Sequence, residues 1–320
     1  MKGIKVRMGI VVIGAVFVDI KGYPSMQYIP GGRNVGNVVQ VHGGVSRNIA
    51  EDIANVELRP TFVGLVDDTG IGTDVVEKLK NHKVNTKYIR KVKDGLGSWL
   101  AIFDNSGDVV ASISKRPDLS EIIRILDEQG DEIFKDADSI IIEFDMEKEI
   151  LKRVFALAAK YEKKVYAVVS NMTIAVERRD LLKNCACFVC NQQEAGIFFS
   201  DVYDDMEPDQ LREILVCKLK ASQIPRMVIT LGAQGSVYAT CDGESGYVKS
   251  KQVIVTDTTG AGDSFFAGVA IGLTYGKTFR ESCEIGTRLA ASVIATKENV
   301  CPRFLPEEFG IDASKIKDFE

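Results

Sequence analysis

The sequence predicts an α/β fold in which helices cover a mostly parallel sheet. Three observations carry that prediction. Short β-branched runs alternate with amphipathic segments. The candidate binding motifs fall just after apolar runs, where such sheets bind ligands. The 320 residues have ordinary apolar content and so suffice for a large core. Length alone does not choose between one domain and two. No repeat or low-complexity linker interrupts the chain, and one domain over 1–320 is the simpler reading.

The elements follow in order. Ile10–Val18 is apolar and β-branched and reads as a buried first strand. Basic residues before it give the look of a signal peptide, but the run is short, ends at Asp19 and lacks a small-residue cleavage site. Residues 16–41 then mix extended stretches with turn residues (Gly22, Tyr23-Pro24, Pro30-Gly31-Gly32) and read as hairpin strands. Gly43-Gly44 ends a strand, and a helix starts near Ser46 with its apolar face at Ile49, Ile53 and Val56. Thr61–Val66 reads as a strand and Thr73–His82 as a helix. Gly97–Ile113 alternates apolar and polar residues around a turn at Asp104-Asn105-Ser106-Gly107, which predicts a second hairpin. Later strands are expected at Ser139–Glu143, Lys164–Val169, Cys187–Cys190, Met227–Thr230, Ser236–Thr240 and Gln252–Val255. Helices are expected at Asn48–Asn55, Lys148–Tyr161 and Asp209–Ala221.

Chemistry concentrates in Asp257-Thr-Thr-Gly-Ala-Gly-Asp-Ser-Phe-Phe-Ala-Gly268. Gly260 and Gly262 permit backbone angles closed to other residues, and the helix that follows offers unpaired N–H groups and a positive dipole end. This is an anion cradle built from Gly260, Ala261 and Gly262. Asp263 at its lip is awkward for simple phosphate binding but suited to take a proton from a hydroxyl that attacks phosphorus. The competing reading is that Asp263 caps its helix. Asp19 and Glu143 each close an apolar run, where a carboxylate can hold vicinal hydroxyls or simply meet solvent. Asn48 sits in the first turn behind Gly43 and Gly44 and offers both donors and acceptors. Ser98 and Trp99 lie in the second hairpin, where an aromatic ring stacks on a ligand or fills a subunit interface. Cys185, Cys187 and Cys190 read as small buried hydrophobes in a strand rather than a metal cluster, since no second pair accompanies them.

The segment Asp257–Gly268 resembles the C-terminal signature of the ribokinase-like (PfkB) carbohydrate kinases, and the likeness extends over nearly the whole chain. The resemblance implies a single three-layer α/β/α ribokinase-like domain with a small β-lid from about 16–41 and 97–113. It also implies transfer of the ATP γ-phosphate to a sugar or nucleoside hydroxyl with Asp263 as base. By the same resemblance, Asp19 and Glu143 contact the sugar. Asn191-Gln-Gln-Glu194 matches an N-x-x-E motif, with Asn191 near the phosphates and Glu194 ordering Mg²⁺, in keeping with its retained hydration shell, through water. Thr230-Leu-Gly232-Ala-Gln-Gly235 matches a T-x-G-x-x-G nucleotide turn, a plain hairpin turn being the alternative. Arg288 and 290–296 would wall the adenine. Asp257 and Thr259 match positions that hold a monovalent cation, K⁺, in some members. Here the partner loop, Ile294–Arg303, carries Asn299 where glycine is common and Arg303 near a usual small residue. Lid strands form a homodimer interface in many members.

Gly43-Gly-Val-Ser-Arg47-Asn48-Ile-Ala-Glu51 is closest in appearance to the pseudouridine kinase branch, which implies pseudouridine phosphorylated at its 5′-hydroxyl. A solvent-facing Arg47 is the competing reading. Other nucleosides, ribose, fructose and 2-keto-3-deoxygluconate are the alternative acceptors. A catalytically silent sugar-binding regulator on the same fold is the alternative of another class. A net charge of −5 without a basic run argues against nucleic acid, no segment has the length of a membrane span, and the cytoplasm is the expected location.

Overall fold

In the computed structural model, residues 8–106, 108–204 and 206–312 are described. Strand β1 (Gly9–Ile13) is buried on both faces: Val11 and Ile13 enter one hydrophobic core, Ile10 and Val12 the other. A strand covered on both sides reads as a continuous apolar run rather than an alternating one. The chain then continues through β2 (Val16–Pro24), β3 (Gly36–Gly43), α1 (Val45–Asn55), β4 (Thr61–Val66), α2 (Gly70–Asn81), β5 (Asn85–Lys91), β6 (Leu96–Phe103) and β7 (Val109–Lys115). The central part comprises α3 (Glu121–Lys135), β8 (Ala137–Glu143), α4 (Lys148–Lys160), β9 (Val165–Val168), α5 (Met172–Ala175), β10 (Cys187–Asn191), α6 (Gln192–Phe199) and α7 (Pro208–Ser222). The last part holds β11 (Arg226–Thr230), β12 (Gly235–Thr240), β13 (Ser245–Lys249), α8 (Ala261–Thr274) and α9 (Phe279–Ile294).

Nine strands form the large sheet in the order β13-β12-β11-β10-β9-β8-β1-β4-β5. It is parallel from β11 to β5, and β12 and β13 add an antiparallel edge. A four-stranded sheet, β3-β2-β6-β7, holds both regions expected as hairpins. Gly107, in the second turn, lies outside the described residues.

Two expectations need correction. The run Ile10–Val18 is not one strand: it breaks at Gly14-Ala15, and the chain leaves the large sheet to begin β2 in the small one. A Cβ at Gly14 would lie 2.1 Å from Ser46 Oγ, so the break is where the start of α1 presses on the chain. Asp19 therefore sits within β2, not at the end of the first strand. Gln252–Val255 is no strand; the edge strand is Ser245–Lys249, returned by the turn Cys241-Asp-Gly-Glu244. Val253, Ile254 and Val255 are exposed by 38%, 89% and 63%. β-propensity reports side chains that suit an extended chain, and a pocket wall meets that condition as well as a sheet does. The cysteine reading agrees with the structure: Cys187 and Cys190 enter opposite cores, and burial raises both thiols.

Candidate active site

Sheet topology brings the motifs to one edge. β8 ends at Glu143, β10 at Asn191 and β11 at Thr230, and Asn191 and Thr230 are register partners. The C-terminal end of β1 hands the chain to β2, which pairs with both β3 and β6.

Gly260 is the N-cap of α8, at φ +80°, and no side chain caps the helix. Asp263 is thus not a cap. Its Oδ2 accepts from Asn48 Nδ2 at 2.7 Å across 215 residues of sequence. One part of the expected cradle is already engaged, because the Ala261 N–H donates to Thr258 O at 3.2 Å. Gly262 and Asp263, in the first turn, have no carbonyl a turn earlier to bond. A Cβ on Gly262 would meet no heavy atom within 4 Å. Protein packing does not require glycine there; closeness to a ligand would. Asp263 keeps one side open to the cleft, yet burial pushes its carboxyl up to about 6, against the lowering by Asn48 and Arg47. Asp19 and Glu194 raise it further by charge.

Asp19 lies over Gly43: a Cβ there would stand 2.5 Å from Asp19 Oδ1. Gly44, at φ +99°, caps α1 and turns the chain into the cleft. Asp19, Asn48 and Asp263 thus meet where β2, α1 and α8 converge. Register places Trp99 beside Asp19 on one face of the small sheet, together with Tyr23, Phe103 and Lys21. Tyr23 stacks on Phe103 at 4.8 Å, and Trp99 meets Phe103 edge-on at 6.5 Å. Ser98 pairs with Val18, which puts it on the opposite face, away from Asp19.

Glu143 departs from expectation too. It is 2% exposed, and its Oε1 accepts from Ser46 N at 2.9 Å, so it caps α1 from behind rather than facing the cleft. Burial and the charge of Asp145 push its carboxyl up to about 7.

A cavity of about 650 Å³ lies on the other side of the Gly260–Gly262 loop. Thr230, Gly232 and Gly235 form one wall, and Val253, Val255, Phe265, Thr287 and Ile294 supply apolar surface. Arg288 is not part of it: it is turned outward, ion-paired with Glu308, with Phe304 and Phe309 each 4.9 Å from its guanidinium carbon. One residue back on α9, Thr287 lines the cavity in its place, with Ala290, Ala291 and Ile294 from the expected 290–296 wall, a one-position difference that helical periodicity decides. Asn191 and Glu194 cap α6 reciprocally: Asn191 Oδ1 accepts from Glu194 N and Glu194 Oε2 from Asn191 N. Burial raises the Glu194 carboxyl, and the charge of Asp145 adds to it. Asp257 turns inward, its Oδ1 accepting from Thr259 N at 2.8 Å, and this segment bonds through Thr256 N to Ile294 O.

Arg47 was open to a solvent-facing reading and is instead 1% exposed. It pairs with Glu51 and donates to Gly43 O, His42 O and Asn48 Oδ1. Asn299 also donates to His42 O at 2.8 Å and to Asn48 Oδ1 at 3.2 Å. The partners of Arg47 all lie within five residues of it, and its pair with Glu51 has the i, i+4 spacing of a helix face. The Asn299 contacts, which join a distant loop to β3 and α1, could not be read from periodicity.

The family model for pfkB family carbohydrate kinases matches residues 8–302. The chain belongs to this family. It is a carbohydrate or nucleoside kinase, a phosphotransferase to an alcohol that uses ATP. Among relatives, the guanosine-inosine kinase of Exiguobacterium acetylicum is 34% identical over 292 residues, covering 91% of this chain and 95% of that protein. The pseudouridine kinase of Escherichia coli (strain K12) is 25% identical over 278 residues, covering 85% and 86%. In fold, Arabidopsis thaliana ribokinase complexed with ribose and ATP matches with a TM-score of 0.79 at 20% identity, covering 93% of this chain and 97% of that one. No helix among the described residues is long and apolar enough to cross a membrane.

Proposed function

We propose that this kinase phosphorylates the 5′-hydroxyl of a nucleoside, with guanosine and inosine its best acceptors. The observation that carries the nucleoside reading is the aromatic face of Tyr23, Trp99 and Phe103 beside Asp19, since a planar base stacks on aromatic rings over its full π face, whereas a hexose meets them only through a few C–H groups. The guanosine-inosine kinase relative supports a 6-oxopurine. Lys21 supports it too: it is 8% exposed and its charge only partly offsets the burial that raises the Asp19 carboxyl, yet it has no hydrogen-bond partner among the described residues. Its ammonium is a donor for O6 and N7 of the base. Pseudouridine, suggested by the sequence, is the second reading, favoured by the 25% identical relative.

In this reading Asp19 takes the ribose hydroxyls, and Asn48 and Asp263 flank the 5′-oxygen. Asp263 accepts its proton as phosphorus is attacked, and the Gly260–Gly262 turn stabilises the transferring phosphoryl group. The nucleotide fills the cavity along Thr230, Gly232 and Gly235, with Asn191 near its phosphates. Glu194 would hold Mg²⁺ through water, and the ion would neutralise phosphate charge. Asp257 and Thr259 are the residues that a monovalent cation such as K⁺ would meet. The outer face of the small sheet exposes Val38, Leu100 and Ile113. We place a second copy of the chain there, and a monomer in sedimentation would remove that part. All seven cysteines are free thiols, which suits the reducing cytoplasm.

A phosphorylation screen with Mg-ATP over guanosine, inosine, adenosine, pseudouridine, ribose and fructose tests the reading. Guanosine and inosine should lead, and a preference for ribose or fructose would sink it. Asp19→Ala should raise acceptor KM roughly tenfold to a hundredfold with ATP KM unchanged, the scale of one lost hydrogen-bonding group. Lys21→Met should cost guanosine and inosine more than adenosine.

A further inference from the structure

Two positions singled out in the sequence are Arg47, behind the paired glycines, and Asn299, in the loop beside the nucleotide site. They are remote in sequence and on different elements, yet their side chains meet on one atom, the Oδ1 of Asn48. They also share a second acceptor, the His42 carbonyl. We propose that Arg47 and Asn299 are positioning residues that together lock the Asn48 carboxamide, so that its amino group and not its oxygen faces Asp263. This rests on the reading of Asp263 as the base.

The argument is one of donors and acceptors. A carboxamide has two nearly isosteric ends, and only its surroundings decide which end points where. With Oδ1 accepting from two donors, Nδ2 is left to donate to Asp263 Oδ2 at 2.7 Å. The reverse orientation would set an amino group against two donors and an oxygen against a carboxylate, unfavourable on both sides. Arg47 cannot drift, because Glu51 and the His42 and Gly43 carbonyls hold its guanidinium fork. Glu51 is in turn faced by Lys78 Nζ at 3.3 Å and His82 Nε2 at 3.5 Å, ion-pair contacts that fix it from the far side without hydrogen-bond geometry. The lock thus has a rigid half on α1 and a loop half at 299. Because Asn299 belongs to the loop that also contacts Thr256, the lock ties the orientation of Asn48 to the placement of the nucleotide side.

An acceptor bound next to Asn48 meets a fixed donor, and the carboxylate of Asp263 keeps a partner that favours its ionised form. The charged groups around Asp263 are Arg47 on α1, Asp52 one turn further along that helix, Asp19 on β2 and Glu194 on α6. Of these, Arg47 acts in the same direction as Asn48, and Asp19 and Glu194 oppose them, while burial pushes the Asp52 carboxyl up to about 8 and so keeps it neutral over this limb. Weakening the lock should therefore move the acidic limb of kcat to higher pH.

Asn299→Ala tests the loop half without disturbing the buried Arg47–Glu51 pair. Arg47→Lys tests the helix half while keeping the charge, since one ammonium cannot reproduce the four contacts of the fork. We expect Arg47→Lys to lower kcat about tenfold and Asn299→Ala by a few-fold, the scale of hydrogen bonds to charged partners. Both should shift the acidic limb upward and leave ATP KM unchanged. The double variant should lose less than the product of the single losses, because both act on one atom. If both single variants keep the wild-type kcat and pH profile, the lock is overturned. A lower melting temperature with an unmoved pH limb also overturns it, for that is what a merely structural role gives. Asp263→Asn separates this inference from the reading on which it rests: an active Asp263→Asn enzyme sinks the base assignment, whereas an inactive one with normal Asn299→Ala and Arg47→Lys enzymes sinks only the lock.

Discussion

Asp263→Asn should lower kcat by about 10²–10⁴-fold, the usual scale for loss of a general base, while the fold and nucleotide affinity persist. The reason for persistence is geometric. Gly260, not Asp263, is the N-cap of α8, and an asparagine at 263 can still accept from Asn48 Nδ2 through its carbonyl oxygen. Phosphoryl transfer leaves the protein mainly positioning and charge stabilisation, and the proton of the attacking hydroxyl is what the substitution abandons. On the proposal that Asp263 is the base, the same residue sets the acidic limb. Burial pushes the Asp263 carboxyl up to about 6, and the base works only when ionised. The wild-type kcat should therefore be level above about pH 7 and fall by about tenfold per pH unit well below 6. Stopped-time product assays across pH read both effects. Turnover within a few-fold of wild type would reduce Asp263 to a spectator.

Gly260→Ala should be nearly as damaging, through the backbone rather than the chemistry. Gly260 sits at φ +80°, and a Cβ would lie 2.0 Å from the Asn299 carbonyl oxygen. Backbone cannot swing aside as a side-chain tip can. Either the 257–263 turn or the 299 loop must move, and a shift of about 1 Å in catalytic groups costs on the order of 10² in rate. Gly262→Ala is the control. Its Cβ would meet no protein atom, so the melting temperature should hold while ATP KM rises about tenfold, because the methyl occupies space reserved for phosphate. Full activity in Gly260→Ala would mean that the two loops need not touch.

The sequence by itself determined the alternation of strands and helices, the glycine turn at 260–262 that opens a helix, and the hairpin character of 16–41 and 97–113. Each is a local property: β-branched runs, glycines before a helix, and two-residue periodicity are legible without knowing what lies across the fold. Tertiary structure decided which side of each element does the work. Ser98 and Trp99 are adjacent in sequence, but the pairing with β2 turns one away from Asp19 and the other beside it. Arg288 and Thr287 differ by one position on α9, and only the packing of the helix against the cavity chose Thr287. Glu143 ends an apolar strand as a ligand-binding acid would, yet α1 lies over it and takes its oxygen for Ser46. Val253–Val255 has the composition of a strand and became a pocket wall. Arg47 carries a charge that suits solvent, and it is buried because Glu51, two carbonyls and Asn48 take a hydrogen bond from each of its three side-chain nitrogens. A long polar side chain goes inside only when its donors find partners, and although those of Arg47 lie within five residues, they surround it only once β3 and α1 have packed about the Gly43-Gly44 turn.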